Sequence, residues 1–204
     1  MEFESEAELA LELSYPEGVE FTINQIVSLQ ETGKLPIVRI DGRAASGKSQ
    51  FAKDLAEAYF QIDHQAARTI HMDDLYPGWN GLAEGSVYLL TNILLPLANS
   101  RSANWQVWNW RKNHRGAEEP GNGRREFIGG TLLIVEGCGA ISRLSRENSD
   151  FQIWIDANDA DRKSRFSARD DGKFDEYFGI WLAQEDEYYE REKSKQLAQL
   201  IVRN

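Results

Sequence analysis

Along the chain, short solid blocks of apolar residues alternate with longer stretches in which apolar residues recur every three or four positions. The solid blocks, at 35–41, 68–72, 131–137, 151–156 and 198–202, have the length and β-branched content of buried strands. The intervening stretches at 50–60, 86–99, 159–169 and 174–195 carry helical periodicity, the last through Phe178, Trp181, Leu182, Glu185, Tyr188 and Tyr189. Strands alternating with helices predict an α/β fold: a five-stranded, mostly parallel sheet between two helical layers, in a single domain spanning 1–204. Residues 1–34 read as a peripheral helical extension in two pieces. Phe3, Leu9, Leu11 and Leu13 mark the first, and Ile23, Ile26, Val27 and Leu29 the second, capped at Thr22 and separated from the first by Pro16 and Gly18. A strand-like block at 105–110, a polar loop at 112–123 and a second block at 124–128 predict a hairpin insertion over 104–129.

Composition narrows the possibilities. With 33 acidic and 23 basic residues the net charge is -10, which argues against a nucleic-acid binder. Cys138 is the only cysteine, so no intrachain disulfide forms. The N-terminus is acidic and has no apolar leader, and no run suits a bilayer span; a cytoplasmic, membrane-free protein is expected. The composition leaves room for a homodimer.

The chemistry concentrates after the strand blocks. Residues 42–49 read GRAASGKS, between a strand and a helix, which is the context a phosphate-binding loop requires. Backbone amides of Gly42, Ala44, Ala45, Ser46, Gly47, Lys48, Ser49 and Gln50 would cradle phosphates. Lys48 would reach the β- and γ-phosphates, and Ser49 would bind Mg²⁺. Asp73, first past the second strand, falls on the same rim, where a carboxylate can orient or deprotonate a hydroxyl or meet the metal through water. Glu136 ends the most apolar strand and suits the Mg²⁺ shell or a substrate hydroxyl. Arg162, Arg165 and Arg169 share one face of a helix within 158–173, where they would close as a lid over the transferring phosphoryl group. Trp108 and Trp110, on one face of an extended strand, suit a planar ligand or hairpin packing. Arg111, Lys112, Arg115, Arg124 and Arg125 read as a solvated loop cluster, and Cys138 as a small packed residue. His64, His71 and His114 show no metal-ligand spacing.

The order of these motifs resembles the P-loop nucleoside kinases, nearest the uridine kinase family and its short bacterial uridine kinase-like members. The matching stretches are 40–49, 72–79, 134–139 and 161–165, within a likeness covering about 36–202. The resemblance implies ATP and Mg²⁺ as cofactors and a nucleoside-like small-molecule acceptor. It makes Asp73 the catalytic aspartate, Tyr76 a substrate-side tyrosine, Glu136 the strand-ending glutamate, and Arg162, Arg165 and Arg169 lid arginines; Trp79, in the same stretch as Asp73, is expected at the acceptor. The family's hairpin carries Tyr-Asp-Phe and then a histidine, where this chain has Trp108-Asn109-Trp110 and then Asn113-His114. A nucleotide kinase holding its acceptor's phosphate on Arg124 and Arg125, or a nucleotide-dependent regulatory module, are the alternatives.

Overall fold

The protein was examined as a computed structural model that describes residues 10–116, 121–169 and 171–204. In chain order, β1 (Leu11–Ser14) and α1 (Tyr15–Glu31) lead into β2 (Ile37–Asp41), α2 (Lys48–Asp63) and β3 (Arg68–His71). Next come α3 (Leu82–Leu89), a widened turn at Leu90–Leu94 and α4 (Leu95–Ala98), then the short strands β4 (Ala103–Gln106), β5 (Trp108–Asn109), β6 (His114–Arg115) and β7 (Arg124–Phe127). The chain closes with β8 (Leu133–Glu136), β9 (Phe151–Asp156), α5 (Asp159–Arg169), α6 (Asp175–Glu192), α7 (Ser194–Leu197) and β10 (Leu200–Arg203).

One six-stranded sheet runs β1-β10-β9-β2-β8-β3, and every pairing in it is parallel. Parallel strands need both faces covered. On one face Val38 and Ile40 of β2, Ile134 of β8 and Ile153 of β9 pack against Ile26 of α1 and Phe51 and Leu55 of α2. On the other, Leu133 and Val135 of β8 and Ile70 of β3 join Leu82, Leu89, Trp181 and Tyr188 from α3 and α6. The result is the expected three-layer α/β fold, with six strands in place of five.

The sixth strand lies in the segment read as helical. Leu11–Ser14 pairs with Leu200–Arg203, and α1 then starts directly after Ser14, so Pro16 and Gly18 belong to its first turn and do not separate two helices. Proline is tolerated there because the first-turn amide needs no intrahelical acceptor. Gly18 is there for space: a Cβ would stand 2.6 Å from Val202 Cγ2. Residues 1–9, including Phe3 and Leu9, lie outside the described residues.

The insertion is a hairpin in two tiers. β4 pairs antiparallel with β7, and β5 with β6, the latter inside the stretch expected to be loop. The chain breaks between tiers at Val107 and turns at Trp110, so the strict alternation expected over 105–110 does not hold.

Beneath the sheet's carboxyl edge, the second face of β2 is polar. Arg39 is fully buried, its guanidinium donating to the carbonyls of Ala140 and Ser145 and to the hydroxyls of Ser145 and Ser149. Desolvation lowers its pKa to about 10, with Asp41 opposing that shift. These bonds peg the loop after β8 to the sheet. Among the described residues no helix is long and apolar enough to cross a membrane.

Candidate active site

Gly47 (φ 102°) ends the loop in a left-handed conformation and α2 starts at Lys48, so its first amides lack intrahelical acceptors. A Cβ at Gly42 would collide with the Ile155 carbonyl, and one at Gly47 with the Asn204 carboxamide. Only glycine fits at either end. Lys48 Nζ is buried, donates to Arg43 O at 2.8 Å and stands 3.6 Å from Cys138 Sγ. Desolvation pulls the ammonium down, but its surroundings, Cys138 and then the carboxyl groups of Glu136, Glu185 and Asp41, outweigh that and hold its pKa above the ordinary value. Burial keeps the Cys138 thiol protonated far above its usual range, so the carboxylates carry that effect.

Ser49 donates from its hydroxyl to Glu136, with Oγ at 3.2 and 3.1 Å from the two carboxylate oxygens, and Glu136 Oε1 also meets His71 Nδ1 at 2.6 Å. The carboxylate is thus clamped between the first turn of α2 and the end of β3. His71, given no role by its sequence spacing, is raised in pKa, chiefly by the hydrogen bond to Glu136. Asp73 follows β3 in a short helical turn and opens onto the adjoining cavity. The residue is exposed at the rim, yet its carboxyl is raised from the ordinary value, first by desolvation among the surrounding atoms and then by Glu136, with Arg169, Lys48 and His71 pulling it back.

The cavity has a volume of about 530 Å³. Ala44 and Ala45 of the loop bound it on one side, Asp73 on another, and the rings of Tyr76, Trp79, Trp110 and Trp181 form much of its wall. Trp79 stacks on Tyr177 at 4.6 Å and is fixed from behind by Gln184, which donates to the Trp79 carbonyl at 2.6 Å. Trp108 is not among the lining residues; its ring packs 5.7 Å from the Arg115 guanidinium, because Trp108 stays in β5 while the chain turns away at Trp110. Arg115, read as part of a solvated cluster, is half-buried, lies 3.5 Å over the Tyr88 ring and donates to Leu75 O. Arg124 and Arg125 lie on β7 and do not line the cavity.

The three arginines of α5 go to three places. Arg162 is buried, donating to Ala44 O at 3.2 Å and Asp159 Oδ1 at 2.9 Å, so it braces the loop. Arg165 reaches to 4.0 Å from where a Gly47 Cβ would be, at the loop's far shoulder. Arg169 lines the cavity. Gln50 turns its side chain away to Asp54, leaving only its amide near the loop.

Sequence reasoning missed Glu185. It is fully buried on α6, accepts from Ala44 N at 2.5 Å and from the Cys138 thiol at 3.3 Å, and stands 3.6 Å from Arg43 and 3.7 Å from Arg162. A carboxylate on the apolar face of a helix, between Trp181 and Tyr188, was the available signal.

These features define a class: the chain has the three-layer α/β P-loop kinase fold. Three of its solved structural neighbours are named as kinases of different acceptors. A possible uridine kinase from Bacillus stearothermophilus superposes with a TM-score of 0.65 at 17% identity, covering 92% of this chain and 98% of the other. A candidate fructose transport system kinase from Silicibacter sp. TM1040 gives 0.57 at 17% identity, over 90% and 98%. D-glycerate 3-kinase from Cryptococcus neoformans var. grubii serotype A gives 0.56 at 12% identity, over 93% and 95%. No protein-family profile matches the chain, and no curated protein sequence does.

Proposed function

We propose that this chain is an ATP- and Mg²⁺-dependent kinase that transfers the γ-phosphoryl group to a hydroxyl of a small molecule, a nucleoside being the acceptor that the resemblance implies. One observation carries the reading: a single cavity is bounded by the phosphate loop at Ala44 and Ala45 and by the Asp73 carboxylate. A hydroxyl held at Asp73 would face the end of a nucleotide lying in the loop. Asp73 would orient it and take its proton.

The residues suit the nucleotide and the metal. Ser46 Oγ is buried with no hydrogen-bond partner, in a loop bounded by two positive-φ glycines that leave no room for a Cβ. Lys48 and the amides from Gly47 into the first turn of α2 would hold phosphate oxygens, because, against expectation, the Gly42, Ala44 and Ser46 amides already donate to Asp41, Glu185 and the Arg43 carbonyl; Arg165 and Arg169 would add positive charge nearby. Ser49 and Glu136 would hold Mg²⁺, with Asp73 reaching it through water. Mg²⁺ is held by few protein ligands and keeps several waters, so Ser49 and Glu136 are enough of a protein contribution. When bound, Mg²⁺ neutralises charge on the phosphates. Positioning and charge stabilisation supply the rest. Arg162 supports the loop through Ala44 O, so its part is to fix the loop's shape.

The test is Asp73→Asn, followed by product formation and by ATP binding. Loss of phosphorylated product by about a hundredfold or more, with ATP binding intact, is the expected result. Turnover within about threefold of wild type removes Asp73 from the reaction.

A further inference from the structure

The cavity wall next to Asp73 is aromatic in an unusual way: its polar tips point out of it. Tyr76 OH donates to Cys138 O at 2.7 Å and Trp110 Nε1 donates to Asp73 O at 2.9 Å. With those polar atoms engaged, Tyr76 and Trp110 offer the cavity mainly ring surface. Around the Trp79 ring, Trp110 lies at 5.1 Å, Phe174 at 5.3 Å and Trp181 at 6.3 Å. The charged side chains that line the cavity are Asp73, Arg111 and Arg169.

From this we infer that the acceptor is a flat aromatic alcohol, offering one hydroxyl to Asp73 and its ring to the Trp79–Trp110–Trp181 wall; the inference rests on the kinase reading. Each further hydroxyl of a sugar, or of a nucleoside's ribose, gives up hydrogen bonds to water and finds ring carbon in return. A small polar acid such as glycerate fills little of about 530 Å³ and leaves the rings uncovered. A planar ring instead gains offset or edge contacts with several walls at once.

Three tryptophans in the wall provide the readout. The full chain, loaded with a non-hydrolysable ATP analogue and Mg²⁺, is titrated by tryptophan fluorescence with para-hydroxymethylbenzoate, a hydroxymethylnaphthoate, uridine, fructose and D-glycerate, and the same compounds are assayed for ADP release with ATP. At least one aryl alcohol should bind about tenfold more tightly than uridine, fructose or glycerate. Trp79→Ala should weaken that binding about tenfold without changing nucleotide affinity, while Trp79→Phe, which keeps a ring and guards against misfolding, holds it within about threefold. Tighter binding by uridine, fructose or glycerate overturns the inference, as does no binding by either aryl alcohol at millimolar concentration. If an aryl alcohol binds but no compound is phosphorylated, the kinase reading fails and the aromatic site stands. If only a sugar, nucleoside or glycerate is phosphorylated, the kinase reading stands and the inference fails.

Discussion

The indole N–H of Trp110 donates to the main-chain carbonyl of Asp73 at 2.9 Å, tying the hairpin insertion to the segment that carries the candidate base. The two residues come from separate blocks of sequence. Their bond sets the wall of the cavity and the position of the carboxylate together.

Trp110→Phe keeps the ring and removes that donor. With Asp73 less firmly placed, kcat should fall about tenfold while the acceptor KM changes much less. Steady-state kinetics on the true acceptor check this. A KM effect alone would make Trp110 a wall and nothing more.

Glu185→Gln should destabilise the fold by about 3 kcal/mol, because Arg43 and Arg162 lose their shared buried counter-charge and Ala44 N loses a charged acceptor. Urea unfolding measures it. A loss below about 1 kcal/mol would show that the network contributes little to stability.

Asp41 is buried and accepts from the amides of Gly42, Gly139 and Ile141 and from Tyr189 OH, yet desolvation still raises its carboxyl to about 6. The folded chain therefore holds a proton that the unfolded chain releases from about pH 4 upward. Stability from this group falls as pH rises through that window, by about 3 kcal/mol at most. Unfolding free energies at pH 4.5 and 6.5, compared between wild type and Asp41→Asn, isolate the effect: the mutant should lose this downward component.

Gly18→Ala tests the first turn of α1. In an exposed helix the change stabilises by about 1 kcal/mol, but a Cβ at this site meets Val202 Cγ2 at 2.6 Å. Overpacking should reverse the sign and cost about 1–3 kcal/mol, leaving ATP affinity unchanged. A rise in Tm would show that the helix and β10 are not packed this closely.

Much of the fold was readable from the chain because its signals are local. A buried parallel strand announces itself as a solid apolar run, and five did so; β1, with Leu11 and Leu13 spaced by two among acidic residues at the sheet edge, did not. Pro16 and Gly18 were misleading for a related reason: proline is harmless only if a helix starts there, and glycine is needed only if a side chain from another element packs closely, and neither condition is visible locally.

The same division runs through the site. By itself the sequence determined the strand-loop-helix turn at 42–49, because glycine spacing and the strand-to-helix context dictate its shape, and it determined that Asp73 follows, and Glu136 ends, a strand of one sheet. Only the tertiary structure decided what those residues face. Glu185 reaches Ala44 from α6, His71 meets Glu136 across neighbouring strands, the three arginines of α5 disperse to three targets, and Trp110 enters the cavity wall while Trp108 does not. These contacts join elements distant along the chain, and their geometry comes from packing a sheet between helices, which no single segment encodes.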